Sequence, residues 1–155
     1  MMMRIVLALS VVALGVALAG CGGDDAAEGT TVVASFYPVA YAAEQIAGAD
    51  ATVTNLTAAG VEPHDLELTA QQAKDILEAD VVLYLGSGFQ PAVEAAVGER
   101  EPGQPSFDLL EGQELVAGEG PHGDEEHADE KEESGIDPHV WLDPRRYAEM
   151  VRTIG

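Results

Sequence analysis

Two short segments of this sequence share one local design, Glu62-Pro63-His64-Asp65 and Asp137-Pro138-His139. In each, a proline fixes the backbone just before an imidazole, and carboxylates stand beside it. A stiff approach of this kind suits a metal ligand, because less ordering entropy is lost when a cation is held. Neutral imidazole ligates zinc and other first-row ions, and a neighbouring carboxylate orients its second nitrogen. A histidine in a loop is also an ordinary surface residue, so the case for chemistry rests on the two matching contexts in one acidic chain. Glu62 and Asp65 read either as groups that orient a ligand or as solvated loop carboxylates.

A third histidine-bearing stretch runs from Gly118 to Gly135 and holds His122 and His127 among eight acidic residues and one lysine. It has too little apolar surface to bury a core and is expected to be a mobile loop. His122 and His127 read as accessory metal capture or as part of a solvated charge run. Histidine enrichment leans toward zinc, with manganese as the alternative, because manganese favours oxygen ligands. Binding should weaken as pH falls and the ring nitrogens take up protons.

Other chemistries find little support. There is no His-Glu-x-x-His run, Gly-x-Ser-x-Gly turn, phosphate-binding loop or EF-hand pattern. The expectation is therefore a binding protein and not an enzyme. A secreted zinc hydrolase using the same histidines would need a third ligand and a general base. A surface adhesin or metal buffer working through the acidic loop is the other alternative. The formal net charge of -21 argues against a nucleic-acid partner, since phosphate neutralisation needs a basic face.

The elements that must position the histidines begin after a targeting segment. Arg4 supplies a positive start, and Ile5 to Ala19 is an almost unbroken apolar run, of secretory length and short for a membrane span. Leu18-Ala19-Gly20-Cys21 resembles the lipobox of bacterial lipoproteins, which implies lipid attachment at Cys21, the single cysteine of the chain. Residues 1–20 are thus expected to be a signal peptide, 21–30 an acidic tether and 31–155 the folded lobe. A lipid anchor would be its only membrane contact, on the extracytoplasmic face of the bacterial cytoplasmic membrane.

Within that lobe Thr31 to Phe36 reads as a strand, and Val39 to Ala47 as a helix with Val39, Ala42, Ala43 and Ile46 inward. Ala51 to Leu56 is a second strand, and the loop Thr57 to Asp65 carries His64. Thr69 caps a helix to about Ala79, with Ala73, Ile76 and Leu77 inward. Val81 to Leu85 is an apolar run of the kind buried on both faces. Phe89 to Val97 reads as a helix, Ser106 to Leu110 as a fourth strand, and Pro144 to Ile154 as a helix capped by Asp143. Strands alternating with helices predict an α/β lobe with a parallel sheet flanked by helices, and loops beyond the carboxyl ends of its strands as the ligand crevice.

Five segments, read together, resemble one family. They are Ser35-Phe36-Tyr37-Pro38, Ile46-Ala47-Gly48, Gly60-Val61-Glu62-Pro63-His64-Asp65, Ala79 through Gly86, and Asp137-Pro138-His139-Val140-Trp141-Leu142-Asp143-Pro144. In order and spacing they are similar to the zinc/manganese-specific solute-binding proteins of ABC importers, over about Val32 to Ile154. The resemblance implies a divalent cation held between two lobes and handed to a membrane permease. Carried over by position, it makes His64 and His139 two of the metal ligands. It also implies that the remaining ligands come from a second lobe that this sequence does not include.

Overall fold

A computed structural model describes residues 29–116 and 137–155. The leader, Cys21, and the acidic stretch with His122 and His127 lie outside the described residues.

Four strands form one sheet: β1 (Thr30–Ala34), β2 (Ala51–Asn55), β3 (Val81–Tyr84) and β4 (Ser106–Asp108), in the spatial order β2-β1-β3-β4. All three pairings are parallel. Thr30, placed in the tether from sequence, already pairs with Ala51 at the start of the sheet. Four helices cover the faces: α1 (Tyr37–Ala47), α2 (Ala70–Glu78), α3 (Pro91–Gly98) and α4 (Pro144–Ile154). Among the described residues no helix is long and apolar enough to cross a membrane.

The two-residue period of the strands divides the core in two. Val32, Ala34 and Leu83 face Val39, Ala40 and Ala43 of α1 and Met150 of α4. Val33 and Val82 face the other way, onto Ile76 and Ala79 at α2 and Val93 of α3. The apolar run of β3 is consequently covered on both sides, as its composition predicts. Each fully buried aliphatic side chain here contributes about 1.5–3 kcal/mol.

Local signals set most helix ends. Thr69 and Gln72 form a reciprocal capping box at the start of α2, a device that stabilises a helix by about 1 kcal/mol. Asp143 accepts the Arg145 backbone N–H at 2.8 Å and starts α4. Gly48, at φ 57°, closes α1 in the left-handed region that favours glycine.

Some details differ from the sequence reading. β1 ends at Ala34, and α1 begins two residues earlier than expected, at Tyr37 with Pro38 in its first turn. Proline is compatible there because a first-turn N–H has no helical acceptor. Ile46 is 43% exposed in the last turn of α1, and Leu77 is 39% exposed on α2. Leu77 follows Ile76, the one buried residue of that helix, and one residue of helix rotates a side chain by about 100° off the core. β4 stops at Asp108, because Leu109 and Leu110 turn back into the core.

Candidate metal centre

From β1 the chain steps to one side to make β2, then returns to the other side of β1 to make β3. The order reverses between β1 and β3, the place where open parallel sheets leave a crevice at their carboxyl ends. Both strands leave the sheet there as short apolar corners. Ser35 N–H donates to Leu83 O at 3.0 Å, and Phe36 and Phe89 meet with ring centroids 5.4 Å apart. Trp141, on the short 3-10 turn Val140–Leu142, packs edge-on against Phe36 at 4.7 Å and Phe89 at 5.3 Å. These three rings floor the crevice.

His64 and His139 stand on that floor. The His64 ring lies 4.3 Å from Phe89 and the His139 ring 5.1 Å from Trp141. His64 reaches it because the exit of β2 is drawn toward β1: Leu56 N–H donates to Ala34 O, and the Thr57 hydroxyl to Ser35 O at 2.7 Å. The 3-10 turn Pro63–Asp65 then presents the imidazole. The segment before α4 brings in His139.

Their Nε2 atoms are 3.2 Å apart across 75 residues of sequence. Two nitrogens at zinc's usual bond length in a tetrahedral shell lie about 3.3–3.4 Å apart, so this pair has the spacing of one edge of such a shell. Without a cation, the same distance is a hydrogen bond in which one ring donates to the other.

Asp137 decides which ring donates. Its Oδ1 accepts from the His139 backbone N–H at 3.0 Å and from the His139 Nδ1–H at 2.6 Å. These bonds, the backbone one first, hold the Asp137 carboxyl below the usual carboxylate range. With its proton on Nδ1, His139 presents a lone pair at Nε2, the state a metal ligand needs.

Among the described residues, Asp137 is the only carboxylate bonded to either imidazole. Glu62 and Asp65, adjacent to His64, are exposed. In the sequence, carboxylates stand beside both histidines, and nothing local sets Asp137 apart from Glu62 and Asp65 as a partner of a ring nitrogen. The two-residue spacing of Asp-Pro-His lets the side chain bond its own backbone two positions on. Phe89 carries no local signal in the sequence. Trp141 packs beneath the histidines. Tyr37 is 67% exposed and lines, with Asn55, Gly60, Val61, Glu62 and His139, an open cavity of about 500 Å³ beside the pair. No group of three or more acidic, cysteine or histidine side chains that could hold a metal ion occurs among the described residues, and a zinc shell usually has four ligands.

The family model for the periplasmic component A of the zinc-uptake complex, ZnuA, matches residues 32–155. The chain belongs to the ZnuA family. It is 32% identical over 140 residues to the zinc-binding lipoprotein AdcA of Streptococcus pneumoniae serotype 4, a match covering 88% of this chain and 28% of AdcA. It is also 32% identical over 134 residues to the manganese-binding lipoprotein MntA of Bacillus subtilis, covering 81% of this chain and 40% of MntA. Among solved structures it is similar to the Zn(II)-bound ZnuA-like domain of S. pneumoniae AdcA. There the TM-score is 0.65 at 28% identity, over 81% of this chain and 42% of that one. The chain therefore spans well under half of these ZnuA-family relatives. The α/β class with a parallel sheet flanked by helices, expected from sequence, is the fold observed. ZnuA is the periplasmic component A of a zinc-uptake complex.

Proposed function

We propose that this chain captures a divalent cation outside the cytoplasm, most readily zinc, through Nε2 of His64 and Nε2 of His139, for delivery to an ABC importer permease. The observation that carries the reading is the Nε2···Nε2 distance of 3.2 Å, with Asp137 on the far nitrogen of His139. Residues 31–155 form one lobe of the binding protein. The ligands that complete the shell lie in the part of the relatives that this chain does not span. Cys21 carries the lipid that keeps the lobe at the extracytoplasmic face of the cytoplasmic membrane. His122 and His127 offer accessory capture before the ion reaches the crevice.

Zinc is preferred over manganese because both ligands on this lobe are imidazoles, and manganese favours oxygen donors. The likeness to the manganese-binding lipoprotein MntA keeps manganese as the second cargo to test.

The test is a titration of Zn(II), and separately of Mn(II), followed by imidazole ¹⁵N resonances in the full chain and in His64→Ala and His139→Ala. Zinc-dependent shifts at both rings, with each substitution weakening the response of the other ring, are expected. Zinc that perturbs only His122 and His127, leaving the crevice rings unmoved, would overturn the assignment.

A further inference from the structure

We infer that Gln90 is a positioning residue for His64, holding the metal-facing turn in place from the loop after β3; this rests on the metal-site reading above. Gln90 is 1% exposed, and its Nε2 donates to the Pro63 carbonyl at 3.1 Å. That carbonyl belongs to the residue directly before His64. The turn has few other restraints: Pro63 has no N–H to donate, and Asp65 N–H to Glu62 O, at 3.2 Å, is its internal backbone bond.

The position of Gln90 makes the contact informative. It stands at the N-cap of α3, yet its side chain makes no capping bond. Serine, threonine, aspartate and asparagine are the residues that cap helices well. Here a longer side chain reaches across 27 residues of sequence instead. Its Oε1 is buried and meets no partner among the described residues. A buried amide with only part of its bonding satisfied is costly. Such breaches of local rules cluster where function compensates for them.

The loop that bears Gln90 is itself anchored. Gly86 N–H donates to Asp108 Oδ1 at 2.8 Å, Phe89 N–H to Gly86 O at 3.2 Å, and Gly88 N–H to Glu94 Oε1 at 3.0 Å. Ser87, at φ 59°, and Gly88, at φ 81°, take the left-handed backbone that so tight a corner needs. One corner thus sets His64 twice: Phe89 packs on its ring, and the next residue holds its backbone.

Zn(II) titrated into the full chain, with the His64 and His139 ring ¹⁵N shifts as readout, tests this in a double-mutant cycle. Gln90→Met keeps the volume and removes the donor; Gln90→Asn keeps the amide but withdraws it by one methylene. Both should weaken zinc binding about tenfold, as loss of a supporting contact does. The same substitutions should have little effect on the residual zinc affinity of His64→Ala, and their full effect in His139→Ala. Equal weakening in all three backgrounds, or a lower melting temperature with unchanged affinity, makes Gln90 merely structural and overturns the inference. If His64→Ala itself leaves zinc binding intact, the metal-site reading fails and this inference with it.

Discussion

Asp137 serves the backbone and the ring of the same neighbour, so its carboxylate sets where the His139 imidazole points and which of its nitrogens is bare. Asp137→Asn keeps the shape but removes the charge, and the amide can present its N–H₂ to the ring as readily as its oxygen. Zinc affinity should fall by about ten- to a hundredfold, the usual effect of removing an outer partner from a ligating histidine. Titration against a competing chelator measures it; an unchanged affinity would mean that Asp137 only shapes the turn. Trp141 is the single tryptophan of the chain, and its ring lies 5.1 Å from His139. A cation on His139 should therefore change the indole emission, and His139→Ala should abolish that change. If the emission responds to zinc in His139→Ala as it does in the parent chain, the ion is binding elsewhere.

At the scale of elements, the crevice depends on keeping the strands aligned, and side-chain bonds fasten β1 to β3 at their amino ends and β3 to β4 at their carboxyl ends. At the amino ends, Asp80 Oδ2 accepts from Thr31 N–H at 2.7 Å and from the Thr31 hydroxyl at 2.8 Å. These bonds, the backbone one first, lower the Asp80 pKa. A carboxyl depressed in the fold stabilises above its unfolded value of about 3.9. That contribution is lost as pH falls through the folded value. Asp80→Asn should thus show a shallower drop in melting temperature below about pH 4 than the parent chain; parallel acid limbs would contradict the role. At the carboxyl ends, a Cβ on Gly86 would collide with the Asp108 carboxylate. Bonds from Gly86 N–H and Leu110 N–H leave that carboxylate little room to move. Gly86→Ala should cost about 1–3 kcal/mol in denaturant unfolding, the usual range for overpacking, and combination with Asp108→Ala should be less than additive.

These fastenings mark how far the sequence could be read. Strand and helix order, the caps at Thr69 and Asp143, and the two Pro-His turns all follow from residues close together in the chain. The floor of Phe36, Phe89 and Trp141, and the reach of Gln90 to Pro63, join segments far apart, and no local pattern announces such contacts.

For the whole molecule, a cation between His64 and His139 would be a cross-link, because the two rings sit on segments 75 residues apart in sequence. One segment follows β2, and the other leads into α4, whose Tyr147 hydroxyl also donates to Pro38 O on α1 at 2.9 Å. An ion that binds only when both segments are in place stabilises the fold by mass action, by about 2.7 kcal/mol at a hundredfold excess over Kd. For a lobe of this size that is a rise in melting temperature of roughly 10 °C. Charge complicates the reading: at a net -21 the folded chain repels itself, and any divalent ion relieves some of that repulsion. The two effects separate because screening depends on ion valence and concentration, whereas ligation depends on the rings. Magnesium, which prefers oxygen ligands, should produce only the screening part, equally in the parent chain and in His139→Ala. Zinc at the same free concentration should add a further rise in the parent chain alone, reversed by a chelator. If zinc raised the melting temperature of His139→Ala as much as that of the parent, the stabilisation would come from charge relief, and the crevice would not be acting as a cross-link.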